Sequence, residues 1–416
     1  MSTLLALPCV LLLACVAVAC AEPSAEATAV ENPAGDSEPA PDFAGESVPA
    51  TTAMSDGGAI AMPQEEVDRL VAEDSLWAEA LRIHYDALVV DGHIDTPTLM
   101  VDQRYAFGER HARHHVDRPR MIEGGLDAAF FSVYVARQFG EGQAATDRAL
   151  RLLDEIDRQL ATLDGADVAT TAAEVRAIRQ RGGTAILLGL EGGHALQGSP
   201  EVLRQLAQRG VRYVTLTHLN TNSWADASTD VARWGGLNDL GRDLVAEMNR
   251  LGVLADLSHV SDSTFYDALD VTTAPVVLSH SSCRALFDHR RNVSDEMLRA
   301  VAANGGILMV NFYPDYIGSG RTSVETVLDH IDHAVQVAGV DHVGLGSDFD
   351  GVPRLPVGLG DVTRLPYLTH GLLARGYAEA DIRKILGGNV LRVLDDAARE
   401  SARLQQEERQ RAAPPS

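Results

Sequence analysis

The feature that most constrains this 416-residue chain is a rhythm of short apolar runs. They recur at 88–93, 128–135, 185–191, 213–218, 253–259, 275–280, 306–312 and 342–348. Each is β-branched and nearly continuous rather than alternating, as in strands of a parallel sheet covered on both faces. Helix-patterned stretches lie between most of them, among them 146–163, 200–209, 240–251, 294–303 and 323–338. Eight strands alternating with helices predict an α/β fold, a parallel (β/α)8 barrel of TIM type, as one domain over 63–399. With 45% of its residues apolar, the chain can bury a core of that size.

The ends of these runs carry the polar residues. The first ends in DGHIDTP, with His93 and Asp95, and the third in LEGGH, with Glu191. The next three end in LTH, DLSH and LSH, with His218, His259 and His280. The last ends in GSDFDG, with Asp348. In a barrel every strand's carboxyl end opens on one face, so residues far apart in sequence converge there. Imidazole nitrogen and carboxylate oxygen suit zinc and related divalent metals. The His-x-Asp pair sends alternate side chains to the same side of an extended strand. The set exceeds the needs of one tetrahedral ion, so a second ion can be held with a carboxylate bridging the pair, which is a hydrolase arrangement. Taken singly, each residue has a plainer reading. A strand-end His is more commonly a hydrogen-bonded core or surface residue, Glu191 beside two glycines can cap a helix, and Asp348 can start a turn closed by Gly351. The joint pattern at six strand ends carries the expectation of a metal site.

Other candidates are expected to be structural. His111, His114 and His115 fall in a polar loop or lid, and His330, His333 and His342 on helix surfaces. His194 is expected behind the ligands rather than among them, and Cys283 as a small buried hydrophobe. Asn292 and Asp350 are expected to shape turns.

The ends of the chain are different material. Of the four cysteines, three lie at positions 9, 15 and 20, so the folded body has no disulfide framework. Residues 1–20 form an apolar run with small residues before Cys20, resembling a bacterial lipoprotein export signal with Cys20 as the lipidated residue. The run departs from that pattern in lacking Lys and Arg and in placing Ala17 where a larger aliphatic is usual. The alternative is a soluble periplasmic protein cleaved after Ala19. Residues 21–62 hold eight acids and no base among Ala, Pro, Ser and Gly, and read as a disordered acidic tether. Residues 400–416 read as a frayed helix and polar C-terminal tail. The expected location is the cell envelope, with membrane contact through the lipid anchor. The formal charge of −24, from 35 basic and 59 acidic residues, argues against nucleic acid as a partner.

The motifs DGHIDTP, LEGGHAL, LTHLNTNSWAD, DLSHVSD, LSHSSCRAL, RRNVSDEML, VNFYPDY and GLGSDFDGV together resemble the membrane (renal) dipeptidase family, metallopeptidase family M19, among the amidohydrolase-like barrels. The resemblance runs from about 88 to 394. It implies a dipeptidase that uses a hydroxide shared by two zinc ions, with Mn2+ or Co2+ as alternatives. One ion would take His93, Asp95 and Glu191, and the other Glu191, His259 and His280. His218, Arg291 and Tyr316 would bind the dipeptide, the last two at its terminal carboxylate. Asp348 would move protons. Dipeptides with a C-terminal D-residue are within the family's range. Dimers are common in the family, so a homodimer is compatible, although the cysteines that form disulfides in animal members are missing.

Two rival readings remain at this level. One is another amidohydrolase-type enzyme acting on an N-acyl amino acid, a lactone or a β-lactam. Such sites often bridge their metals with a carboxylated lysine, and no Lys falls at these strand ends. The other is a non-catalytic surface lipoprotein that binds peptide or metal.

Overall fold

The computed structural model describes residues 60–412. Its sheet has nine strands: β1 Val90–Ile94, β2 Ala128–Tyr134, β3 Ala166–Val168, β4 Thr184–Glu191, β5 Val211–Thr215, β6 Leu254–Asp256, β7 Val277–Ser281, β8 Ile307–Val310 and β9 Val343–Leu345. All pairings between them are parallel, and the β2–β4 and β1–β9 contacts close eight of them into a barrel. The fold is therefore the expected (β/α)8 barrel. β3 stands outside the ring. It pairs with Thr184–Ile186 at the start of β4, below the point where β5 takes over the same edge at Leu188. Its three residues, with an exposed Asp in the middle, leave no apolar run to read in the sequence.

Burial explains why the strands read as continuous runs. Ala128, Phe130, Ala185, Leu187 and Tyr213 belong to one cluster, with Leu391 and Leu394 of the C-terminal helix. The intervening Ala129, Phe131, Ile186 and Leu188 pack with the surrounding helices. Both faces are apolar, so alternation disappears. The helices start where capping chemistry allows. Ser199 accepts a hydrogen bond from the Val202 amide ahead of Pro200–Gln208, with proline at the first turn. Asn238 does the same for Asp239–Leu251, which ends at Gly252 in left-handed conformation.

Two seams of the barrel are thin. β1 meets β9 through the single pair Asp91–Leu345, and β6 meets β7 through Asp256–Val277. A buried aspartate stitches each seam. Asp91 Oδ1 accepts from the His93 amide (3.0 Å) and, across the seam, from Ser347 (2.9 Å). Asp256 Oδ1 accepts from Ser258 (3.0 Å) and, across its seam, from Ser279 (2.9 Å). The side chains supply what the ladder omits, as buried backbone donors require.

The residues read as a polar tail from 400 onward continue the helix Asn389–Ala412. Ser401 is buried, and both its hydroxyl and the Gln405 amide donate to the Arg250 carbonyl (2.7 and 3.0 Å). The helix thus docks on Asp239–Leu251 instead of fraying. The segment 1–59, with Cys20 and nearly all of the acidic stretch, lies outside the described residues. No helix among the described residues is long and apolar enough to cross a membrane.

Candidate metal centre

The strand ladders stop short of several site residues. His93, Glu191 and His280 lie within β1, β4 and β7. Asp95 follows β1 directly, whereas His218, His259 and Asp348 each stand three residues past the last paired residue of β5, β6 and β9. His259 and Asp348 adopt left-handed backbone, with φ of 70° and 66°. Such strain in a non-glycine residue persists only where the surroundings enforce it, and it concentrates at functional sites.

These loops and strands bring the side chains together around Glu191. Its Oε2 lies 3.4 Å from His93 Nε2 and accepts from the Ser132 hydroxyl at 3.0 Å. Its Oε1 lies 3.3 Å from His259 Nε2, 3.6 Å from His280 Nε2 and 3.7 Å from His218 Nε2. Asp95 Oδ2 is 3.3 Å from His93 Nε2. Asp348 joins His93 and Asp95 in a second cluster. All seven residues are buried.

The donor set fits divalent metal. His93 Nε2 and Asp95 Oδ1 are buried and have no hydrogen-bond partner among the described residues, although each sits beside other ligand atoms. His259 Nε2 and His280 Nε2 approach to 2.9 Å. Nitrogen and oxygen donors crowded together without proteinaceous partners are what an ion would satisfy. Burial, with Arg291 adding to it, holds the His259 and His280 imidazoles well below their usual pKa, so both are neutral and offer lone pairs. Burial opposes ionisation of Glu191, yet His93, His218 and His259 hold its carboxyl well below the ordinary range. Asp348 goes the other way. Burial, reinforced by Asp95 and Glu191, raises it to about 7.

A cavity of about 330 Å3 opens beside the cluster, walled by Tyr134, Leu219, Tyr313, Tyr316, Val352 and Pro353. Behind Tyr316 and His280 lies Arg291. It is 3% exposed and donates to the His280 carbonyl at 3.0 Å, and its guanidinium lies over the Tyr316 ring at 5.4 Å. Among the described residues no carboxylate pairs with it, and its Nε is unpartnered. A buried cation without a counter-ion is costly unless a ligand completes it.

The sequence profile of membrane dipeptidases, peptidase family M19, matches residues 77–408. The chain belongs to that family. Dipeptidase tcpJ of Claviceps purpurea is 40% identical over 329 residues, covering 76% of this chain and 74% of that protein. The crystal structure of dipeptidase AC, of the same family, superposes with a TM-score of 0.70 at 30% identity, covering 75% of this chain and 98% of the other. A metallopeptidase of Rhodobacter sphaeroides, liganded with a phosphinate mimic of L-Ala-D-Ala, gives 0.68 at 29% identity over 75% and 100%. Membership places the chain among metal-dependent hydrolases of dipeptides.

Of the positions that shape this dipeptidase site, Tyr213 and Gly189 gave no signal in the sequence. Tyr213 donates or accepts at His93 Nδ1 (2.8 Å), and its ring has room only because residue 189 is glycine, where a Cβ would collide with it. Asp350 receives the Thr96 hydroxyl and the His115 amide (both 2.6 Å), so the loop after Asp348 is clamped rather than merely turned. Asn292 holds the Phe287 and Tyr316 carbonyls. His194 is buried, and among the described residues both its ring nitrogens are unpartnered; it lies outside the clusters of metal-compatible side chains. His330 is buried, not on a helix surface, and binds the Cys283 amide and the Ile317 carbonyl. Cys283 is buried and its thiol is pushed up to about 12 by burial, which makes it unreactive.

Gly351 passes so close to Asp95 and Asp348 that a Cβ there would strike both carboxylates. Gly351→Ala is expected to displace these two groups by about an ångström and to lower turnover about 10²-fold. The unfolding midpoint should change little, and kinetics with thermal unfolding on the same sample tests both.

Proposed function

We propose that this chain is a two-zinc dipeptidase that grips the substrate's C-terminal carboxylate and accepts L- or D-residues there. The observation that carries the reading is the convergence of four imidazoles on Glu191, with Asp95 against one of them, beside a buried Arg291 that no carboxylate pairs with among the described residues. His93, Asp95 and Glu191 would hold one ion, and Glu191, His259 and His280 the other. When bound, such a pair supplies an ionisable water at neutral pH and a Lewis acid for the scissile carbonyl.

The chain's own residues do the rest. Arg291 offers a planar fork to the terminal carboxylate, with Tyr316 as second donor. His218, kept neutral by burial, can donate a hydrogen bond to the scissile carbonyl oxygen as negative charge develops there. Asp348 Oδ2 accepts from Asn311 Nδ2 at 2.9 Å, and Oδ1 faces the Asp95 side. That carboxylate can take the proton of the attacking water and return it to the leaving amine, so the C–N bond breaks with no net proton change. The aromatic wall limits water, and the cavity's modest size favours very short peptides.

The deciding experiment is hydrolysis of a panel of L-L and L-D dipeptides by the purified chain. Turnover that a chelator abolishes and zinc restores supports the reading. A folded, metal-loaded protein that turns over no dipeptide overturns it. Arg291→Ala should reduce kcat/KM for dipeptides about 10²-fold, the scale of lost charge-assisted hydrogen bonds. C-terminal dipeptide amides should lose far less, and equal losses on both would remove the carboxylate grip. We also propose export and lipidation at Cys20, supported by the apolar run before that residue. A Cys20→Ser chain that still fractionates with membranes would refute the anchor.

A further inference from the structure

The Nδ1 atoms of the two imidazoles assigned to the second ion are treated differently. His280 Nδ1 lies 2.8 Å from the Ser279 hydroxyl. That hydroxyl in turn lies 2.6 Å from Asp256 Oδ2, which also receives the Thr215 hydroxyl at 2.6 Å. Asp256, Ser279 and His280 are all buried, and the backbone on both sides of the β6–β7 seam is tied to Asp256 Oδ1. His259 Nδ1, by contrast, has no hydrogen-bond partner among the described residues.

Proton counting then fixes the direction of the chain of bonds. A carboxylate only accepts. Ser279 has one hydroxyl proton, and the short bond to the charged acceptor takes it. The other hydroxyl acceptor in reach, Ser258 Oγ, is 3.5 Å away. Ser279 Oγ must therefore accept from His280, which places that ring's proton on Nδ1 and leaves Nε2 as a lone pair. The 2.9 Å contact between the two Nε2 atoms needs one proton between them, so in the metal-free protein His259 carries its proton on Nε2. That proton lies between His280 Nε2 and Glu191 Oε1, the latter at 3.3 Å.

We propose that Asp256 and Ser279 are positioning residues that lock His280 in the Nδ1–H tautomer, ready to ligate, while His259 is left to change tautomer when an ion arrives. Second partners of ligating histidines fix tautomer and ring orientation, and losing them typically costs 10- to 100-fold in metal affinity. The inference rests on His280 and His259 being ligands, but its first test does not. Ring nitrogen NMR shifts of the metal-free wild-type chain should show His280 as Nδ1–H and His259 as Nε2–H. Zinc should move the His259 proton to Nδ1 and leave His280 unchanged. Ser279→Ala, which keeps both backbone bonds to Asp256, should release the His280 tautomer and weaken zinc binding 10- to 100-fold, and Ser279→Thr should recover both.

His280 found as Nε2–H in the metal-free wild type overturns the proposal without any variant. So does a Ser279→Ala chain that keeps the tautomer and binds zinc within twofold of wild type. A wild-type chain with the expected tautomers but no affinity for zinc would refute the two-metal reading and leave the positioning role standing.

Discussion

Glu191→Gln is expected to leave a folded protein that retains less than one metal per chain and loses at least about 10⁴-fold in dipeptide turnover. The substitution keeps the side chain's size and its contact with Ser132. It removes the one negative charge that faces His93, His259, His280 and His218 together. An amide NH2 would also present protons to nitrogens that must offer lone pairs. Without the ions the attacking water returns towards its free pKa of about 15.7, against about 7 when metal-activated, which is why the loss should be so large. Metal analysis beside kinetics tests this. A variant with full metal content and turnover within tenfold of wild type would remove Glu191 from both ions.

Asp348→Asn is expected to keep its metal and lose 10²- to 10⁴-fold in turnover, the usual scale of general acid–base help. Asparagine is the informative choice. Asp348 sits at φ 66°, a conformation that Asn tolerates and Ala does not. The amide can still accept from Asn311 through its oxygen. The variant therefore isolates the loss of a proton-carrying group from backbone strain. Unchanged kcat with full metal content would take the proton role away from Asp348.

Much of the barrel was legible because of what burial on both faces does to a strand. Runs such as 128–135 and 185–191 need apolar side chains at every position, so they stand out from the amphipathic helices between them. The ends of those runs were over-read. The ladders of β5, β6 and β9 stop at Thr215, Asp256 and Leu345, before His218, His259 and Asp348. An apolar residue followed by a polar one looks the same whether the backbone is extended or has turned left-handed. The docking of the polar C-terminal helix was not legible for a related reason. The docked face of its helix is carried by Ser401 and Gln405, and their bonds to the Arg250 carbonyl cannot be seen in composition.

The sequence by itself determined the fold class, the family and the identity of the residues that gather at the mouth of the barrel. It could do so because strand periodicity and ligand chemistry are local, and because parallel strands all end on one face. Only the tertiary structure decided how those residues are held. The partners of these imidazoles are Tyr213 for His93, Ser279 for His280, and Asp256 beneath Ser279. The space for them comes from Gly189 and Gly351. An aspartate or a serine inside an apolar strand has no meaning until the neighbouring strand is placed against it. A hydrogen bond and a steric limit are properties of two surfaces in register, and the sequence lists only one of them at a time.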